Sequence, residues 1–195
     1  MVRPMGETAL WLGAYPPSGP EGPAGQGEGI WRLRLDPRTG GLTGALAAAL
    51  PAPSFLARGP GGMLYAASET APGTVTALEV VGEGLVPVAT VAAGGDSPCH
   101  LLVTEQALYV ATYGSGTVSV LPLDADGRFT AQVLASGGPV QVHGHQGSGP
   151  RADRQEAPHA HSTMLSPDGR YVLAADLGTD EVRRLRRRPD GLLDD

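Results

Sequence analysis

The hydrophobic positions of the chain fall into short runs, and stretches rich in glycine, proline and polar residues separate them. Three of the runs resemble one another: MLYAASE, ALYVATY and YVLAADL. Each is followed by a second strand-like run: TVTALEV, TVSVLPLD or EVRRLRRR. Short runs of this kind, bounded by turn residues, are typical of β-strands. The pattern therefore predicts three β-hairpins, over residues 64–80, 108–123 and 171–187.

The runs recur with a period near 44 residues, as the spacing of Leu64 and Leu108 illustrates. An earlier copy also fits, with Ile30–Leu35 leading into the turn at Asp36–Leu42. The Ala-rich segment Gly44–Leu50 is interpreted as a strand or a short turn, with a helix as the alternative. A repeat of this length, built from strands without a helical period, is typical of β-propeller blades. We therefore expect an all-β chain of four-stranded antiparallel blades, with no helix longer than about two turns.

The third repeat is longer than the others, and its additional residues fall between Leu134 and His161. This segment has no strand periodicity and is rich in glycine, proline and polar residues. It is predicted to be a loop, and long loops in compact repeat folds are usually functional or disordered. Because it leads into the innermost strand of a blade, we expect it to deliver its polar groups to the mouth of the central channel.

Three related segments open the predicted blades: Pro53-Ser-Phe55, Pro98-Cys-His100 and Pro158-His-Ala-His161. Their alignment predicts that Phe55, His100 and His161 occupy equivalent positions in consecutive blades. These three side chains are then expected to point towards the same axis.

Composition narrows the functional classes. The net charge of −6 argues against a nucleic-acid-binding protein, which needs a basic surface. Cys99 is the only cysteine, so an intrachain disulfide or a multi-cysteine metal site is excluded. No signal-peptide pattern or membrane span is recognisable, and we expect a cytoplasmic protein that does not bind membranes. The 29 glycines and 18 prolines are spread between the apolar runs, which favours many turns over disorder.

The candidate chemistry is concentrated in RQEAPHAH, the segment Arg154–His161. His159 and His161 are candidates for a general base and its helper, because imidazole changes protonation near neutral pH. Arg154 offers a planar fork for an anion or an oxyanion, and Glu156 can orient a histidine or bind a sugar hydroxyl. The alternative is that these residues form backbone hydrogen bonds and solvated contacts in a polar loop.

Other groups carry weaker signals. His143 and His145 form a second histidine pair, but no carboxylate lies at a recognised ligand spacing, so neither a metal nor a cofactor is predicted. Arg151 is a further candidate for anion binding. Cys99 adjoins His100 on a strand, where neighbouring side chains point to opposite faces, so it is predicted to be a packed apolar residue.

Three stretches carry a family resemblance: PSFLA with LYAASE, SPCHLLV with LYVATYGSGTVSVLPLDADG, and GSGPRADRQEAPHAHSTMLSPDGRYVLAADLGTDEV. They resemble the bacterial lactonase family, which includes the seven-bladed-propeller type of 6-phosphogluconolactonase and is related to the fungal carboxy-muconate cyclases. The resemblance covers almost the whole chain. It implies hydrolysis of 6-phospho-D-glucono-1,5-lactone in the pentose phosphate pathway.

By motif match, the resemblance implies a polar cluster at the channel mouth. The residues that match are His100, Arg154, Glu156, His159 and His161. We expect His161, Arg154, Glu156 and His159 to be catalytic and His100 to bind substrate, and we add Arg151 and Gln155, which the motif match does not include, as further candidates for substrate binding. Members of the family usually carry asparagine where this chain has Ser68 and Thr112.

Members of the family are nearly twice as long as this chain, which resembles their N-terminal half. We therefore expect residues 1–195 to form one domain, an incomplete propeller of about three to four of the seven blades. An incomplete propeller exposes apolar radial faces, through which self-association is expected. A muconate-type lactonising cycloisomerase remains an alternative to the hydrolase. A non-catalytic interaction propeller, or an inactive fragment, is a further alternative.

Overall fold

Four antiparallel sheets make up the protein, whose computed structural model describes residues 8–15 and 27–194. The sheets follow one another along the chain, and within each sheet neighbouring strands are also neighbours in sequence. Meanders of this size are the blades of a propeller. The predicted all-β fold, an incomplete propeller of four-stranded blades, is confirmed.

The blades are numbered in chain order. Blade 1 contains the three strands β1 (Thr8–Gly13), β2 (Gly29–Leu35) and β3 (Leu42–Ala49). Blade 2 contains β4 (Pro53–Arg58), β5 (Leu64–Ser68), β6 (Thr74–Val81) and β7 (Gly84–Ala92). Blade 3 contains β8 (Pro98–Val103), β9 (Ala107–Thr112), β10 (Thr117–Pro122) and β11 (Gln141–His143). Blade 4 contains β12 (Ala160–Leu165), β13 (Tyr171–Asp176), β14 (Glu181–Arg187) and β15 (Leu193–Asp194).

The three predicted hairpins correspond to the pairs β5–β6, β9–β10 and β13–β14. The Ala-rich segment Gly44–Leu50, interpreted as a strand or a short turn, lies in β3 except for Leu50. The described helices are short: a 3₁₀ turn at Pro60–Gly62 and the six-residue α1 (Ala131–Ser136). Neither is long or apolar enough to cross a membrane.

The prediction that residues 134–161 form a loop throughout is wrong at its N-terminal part. The segment begins within α1, and Gln141–His143 then forms β11, which pairs with β10 as the outer strand of blade 3. Three residues are too few to show an alternating pattern, and the backbone of β10 supplies the pairing whatever the side chains are. The irregular part of the segment therefore consists of a short turn at residues 137–140 and a longer loop at residues 144–159.

Burial follows the position of each blade between its neighbours. Every residue of β5 and β9, in the middle blades, is buried, because blades pack against both faces of those strands. In β13 of blade 4, buried and partly buried residues alternate, because the described structure packs only one of its faces against another blade. The three apolar clusters accordingly lie between blades 1 and 2, blades 2 and 3, and blades 3 and 4.

A repeated tyrosine contact joins consecutive blades. The hydroxyl of Tyr65 in β5 donates to the carbonyl of Gly127, in the turn before α1. The hydroxyl of Tyr109 in β9 donates to the carbonyl of Gly191, in the turn before β15, at 2.7 Å. Both glycines have a positive φ, which the Asp-Gly turn requires and other residues seldom adopt.

Candidate active site

A cavity of about 340 Å³ lies where β4, β8 and β12 begin, on the face of the propeller that the loop 144–159 also reaches. These are the innermost strands of blades 2, 3 and 4, and they contact one another in chain order. Seven described residues line the cavity: Tyr15, Ser54, Glu69, Cys99, Tyr113, Arg154 and His161.

The innermost strands reach the cavity through a β-bulge at the same point. The pairing register shifts once in each strand, and the additional residue is Ser54 in β4, Cys99 in β8 and His161 in β12. A bulge redirects a side chain away from the regular alternation of a strand. All three bulge residues line the cavity, so the repeat itself builds this part of the site.

The register corrects one sequence alignment. Phe55 and His100 are equivalent, and their rings lie 4.4 Å apart between centroids. The equivalent residue of blade 4 is Ser162, however, and His161 corresponds to Cys99. The prediction that His161 matches His100 is therefore wrong by one position, because the spacing from Pro158 to the strand is longer than that from Pro98.

His161 is the exposed imidazole of the cavity. Its ring meets the ring of Tyr113 edge-on, with 5.5 Å between centroids and an interplanar angle of 87°. Within residues 8–15 and 27–194, no hydrogen bond occupies either ring nitrogen. An imidazole with a free nitrogen that faces a cavity can take a proton from water.

His159 is held in a different way, although it lies only two residues away. It is 7% exposed, and its ring stacks on the ring of Tyr113 at 4.3 Å. Nδ1 donates to the Tyr113 carbonyl at 2.8 Å, and Nε2 lies 3.2 Å from Oε1 of Glu156. Both ring nitrogens of His159 therefore have partners inside the protein, whereas those of His161 have none among the described residues.

Glu156 is exposed and is not among the seven described residues that line the cavity. Its own backbone N–H is the main cause that lowers the pKa of its carboxyl, and the hydrogen bond with His159 adds to the effect. The structure thus pairs Glu156 with His159. It does not pair Glu156 with His161.

Arg154 brings a cation to the cavity from a tight turn of the loop. The backbone N–H groups of Arg154 and Gln155 both donate to the carbonyl of Arg151, at 3.0 and 2.6 Å. The Arg154 side chain is exposed, and its guanidinium makes no hydrogen bond with the residues that the structure describes. It is available for an anionic ligand.

The two remaining loop candidates lie outside the lining. Arg151 is exposed and its guanidinium makes two hydrogen bonds to the carboxylate of Asp153, at 3.1 and 3.0 Å. Gln155 is buried, accepts the backbone N–H of Arg151, and donates to the Leu177 carbonyl and to Asp180. The amide of Gln155 therefore fixes the loop against blade 4, and a contact of Arg151 or Gln155 with substrate stays a prediction.

His100 lies between the innermost strands and is also outside the cavity lining as described. Its Nδ1 accepts the backbone N–H of Thr163 at 3.3 Å, while the ring packs on Phe55. Burial lowers the pKa of His100, and the charge of His161 lowers it further. The neutral ring of His100 contacts both blade 2 and blade 4 and therefore stabilises their packing.

Cys99 is unsuited to nucleophilic chemistry. Burial raises the pKa of its thiol to about 12, and the charge of Glu69 adds to the effect. Its Sγ lies 3.4 Å from the carbonyl oxygen of His161. A thiol with so high a pKa carries almost no thiolate at neutral pH, in line with its predicted packing role.

Sequence reasoning missed the carboxylate of the cavity. Glu69 follows β5, Tyr113 follows β9, and Leu177 follows β13 at the equivalent position. The backbone N–H groups of these three residues make equivalent hydrogen bonds, to the carbonyls of Ala52, Ser97 and His159. Glu69 and Tyr113 are the last residues of the aligned runs MLYAASE and ALYVATY. The repeat in the sequence therefore already placed the two residues at equivalent positions.

A larger cleft, of about 780 Å³, opens between blades 1 and 2 near the turns at Gly61 and Gly82. Two of its arginines have ion-pair partners, since Arg32 pairs with Glu83 and Arg128 with Glu79. No described imidazole lines this cleft. Among the described residues, no group of three metal-ligating side chains is present in any part of the protein.

Comparison with known proteins agrees with this architecture. The model of the family described as "Lactonase, 7-bladed beta-propeller" matches residues 9–192. The chain belongs to this lactonase family. A 6-phosphogluconolactonase of Bacillus subtilis is 34% identical over 177 residues, which are 87% of this chain and 48% of that lactonase.

Solved lactonase structures share the fold. A protein of Bacteroides fragilis, provisionally assigned as a 6-phosphogluconolactonase, superposes with a TM-score of 0.81 and 28% identity over 95% of this chain and 50% of its own. The periplasmic gluconolactonase of Pseudomonas aeruginosa gives a TM-score of 0.80 at 28% identity over 96% of this chain and 52% of its own. The chain thus spans about half the length of the lactonase relatives that it matches.

Proposed function

We propose that the cavity at the start of the innermost strands hydrolyses a sugar lactone, with 6-phospho-D-glucono-1,5-lactone as the substrate. Membership of the lactonase family supports the reaction class, and so does the similarity to a 6-phosphogluconolactonase and to a gluconolactonase. The observation that carries the proposal is the presence of a free imidazole and a free guanidinium, His161 and Arg154, in one cavity.

In the proposed reaction, a water molecule attacks the lactone carbonyl while His161 accepts one of its protons. The carbonyl oxygen gains negative charge as the tetrahedral intermediate forms, and the guanidinium of Arg154 stabilises that charge or holds the phosphate. The bond between the carbonyl carbon and the ring oxygen then breaks, and His161 returns its proton to the departing oxygen. The product is the open-chain acid, and neither a cofactor nor a covalent intermediate is required.

Within this proposal, Glu156 and His159 are positioning residues. Stacking on His159 fixes the face of Tyr113, and the edge contact of Tyr113 then limits where the His161 ring can lie. Glu156 contacts Nε2 of His159, so it affects the proposed base, His161, only indirectly, through His159 and Tyr113. The cytoplasmic location inferred from the sequence stays a prediction.

The test is the hydrolysis of freshly prepared 6-phosphogluconolactone by the purified chain, with the spontaneous rate subtracted. We expect the chain to accelerate the reaction, and Arg154→Ala to lower kcat/KM by about 10²-fold, the scale of an oxyanion donor. A chelator should leave the rate unchanged, because side chains carry the chemistry. A folded chain with a cooperative thermal transition and no acceleration would contradict the proposal.

A further inference from the structure

Glu69 supplies the one carboxylate among the seven described residues that line the cavity. It extends from the end of β5, in blade 2, at the position that Tyr113 occupies in blade 3. The cation of the cavity comes from the other direction, since Arg154 lies in the loop that leads into blade 4. Negative and positive charge therefore enter the site from different blades.

Tyr15 fixes the orientation of this carboxylate. Its hydroxyl donates to Oε2 of Glu69 at 2.8 Å, although the two residues are 54 positions apart in sequence. Burial raises the pKa of Tyr15 to about 12, and the hydrogen bond to Glu69 is the next largest cause. The tyrosine therefore remains a donor over the whole neutral range, and it leaves Oε1 without a partner in the described part of the chain.

An ionised carboxylate can only accept hydrogen bonds. Hydroxyl groups on a sugar ring are donors, and a hydrogen bond to an ionised acceptor is about twice as strong as a neutral one. A ligand with a carboxylate at the same place would bring two negative charges together in a partly buried site, which is unfavourable. Oε1 of Glu69 thus suits a hydroxylated neutral ring and opposes a carboxylated ring.

We infer that Glu69, held by Tyr15, is the specificity-determining residue of the cavity, where it binds ring hydroxyls of the sugar lactone and rejects lactones that carry a carboxylate on the ring. This inference rests on the proposed lactone hydrolysis. It assigns to Glu69 a direct contact with the substrate, whereas Glu156 contacts His159. It also separates the sugar lactonase from a cycloisomerase acting on muconates, whose substrates carry several carboxylates.

The test compares Glu69→Gln and Tyr15→Phe with wild type on 6-phosphogluconolactone and on muconolactone, which carries a carboxylate and no ring hydroxyls. Glu69→Gln keeps the size of the side chain and removes its charge. We expect it to raise KM for the sugar lactone about tenfold or more, the scale of a lost hydrogen bond to a charged group, with kcat changed less than about threefold. The preference for the sugar lactone over muconolactone should fall at least tenfold, and Tyr15→Phe should give a smaller change in the same direction.

Glu105→Gln is the matched control, because Glu105 is an exposed carboxylate in the β8–β9 turn, at the opposite end of β8 from Cys99. Glu105→Gln should have the same kcat and KM as wild type on both substrates. An unchanged preference in Glu69→Gln would overturn the inference, and so would a loss of kcat at constant KM, which would make Glu69 the base. Absence of lactone hydrolysis in wild type would overturn the proposed function instead. Calorimetric binding of 6-phosphogluconate to wild type and Glu69→Gln would then still test the contact, with equal affinity as the contradicting result.

Discussion

At the scale of single residues, His100 shows how the fold uses a titratable group as a structural element. Its ring packs on Phe55 of blade 2, and its Nδ1 accepts the backbone N–H of Thr163 in blade 4. A nitrogen that accepts an N–H carries no hydrogen, so the folded state favours the neutral ring. The lowered pKa of His100, caused by burial and then by the charge of His161, agrees with this arrangement.

The stability of the protein should therefore fall as the pH drops through this titration. The unfolded state takes up a proton near the ordinary histidine pKa of about 6.5, while folded His100 takes it up only at lower pH. The contribution of neutral His100 to stability is complete above about pH 6.5. It is lost as the pH falls towards the pKa that His100 has in the folded state. Denaturant titrations of wild type and His100→Gln between pH 8 and pH 5 measure this effect, and the wild type should show the steeper loss. Parallel curves would contradict the assignment.

The site residues were only partly predictable at this scale. Arg154 and His161 follow from the dense polar segment of the loop, and both line the cavity. The position of His161 within its strand could not be derived, because the innermost strands share the same bulge but the spacing from Pro158 to the strand is longer than the spacing in the other two blades. Glu69 was missed because a single carboxylate after a hydrophobic strand has no motif around it, and only the repeat alignment identifies its position.

At the scale of elements, the tyrosine contacts between blades explain why the repeat recurs in sequence. Tyr65 and Tyr109 are 44 residues apart, and each donates its hydroxyl to the glycine carbonyl of an Asp-Gly turn in the next blade. The turn needs glycine for its conformation, and the carbonyl that it exposes to the previous blade needs a donor. Strand, turn and inter-blade packing are therefore specified together.

Removing the hydroxyl at Tyr109 should destabilise the fold. Tyr109→Phe leaves the buried Gly191 carbonyl without its donor and also removes the acceptor that Nε of Arg187 uses at 3.2 Å. We expect a loss of about 1–3 kcal/mol in the free energy of unfolding. Tyr171→Phe is the control, because the Tyr171 hydroxyl makes no hydrogen bond within the described residues, and it should change stability by less than about 0.5 kcal/mol. Equal effects of the two variants in thermal or chemical unfolding would contradict this role.

The elements themselves were largely predictable from alternation and turn residues. The hairpins of blades 2, 3 and 4 lie within about one residue of their predicted bounds. The outer strand β11 was not predictable from the sequence, since its three residues pair through the backbone alone. Short outer strands contribute little buried apolar surface, so they leave little pattern in the sequence.

At the scale of the whole molecule, the outer faces of blades 1 and 4 differ from the faces between blades. Leu12 in blade 1 is 49% exposed, and Met164 and Val182 in blade 4 are 62% and 68% exposed. Equivalent faces of the middle blades are covered by a neighbouring blade. Apolar side chains exposed on the face of a blade favour association.

We expect the purified chain to associate with increasing concentration, as measured by light scattering after size-exclusion chromatography. Replacing Met164 and Val182 with lysine should weaken the association through blade 4 and leave the thermal transition nearly unchanged, because neither side chain is buried. Leu134→Lys is the control, since Leu134 is 51% exposed on α1 and away from that face. A monomer at every concentration would contradict the expectation, as would an equal effect of the control.

We propose that one cavity, formed where three blades begin, provides a free imidazole for lactone hydrolysis. The most direct measurement is kcat/KM for 6-phosphogluconolactone in wild type, His161→Ala and His143→Ala, each checked for an unchanged thermal transition. His161→Ala should lose about 10²-fold or more, the scale of a positioned general base, while His143→Ala, on the outer strand β11, should stay within about twofold of wild type. If His161→Ala keeps the wild-type value, or if the two variants lose activity equally, the proposed site is wrong.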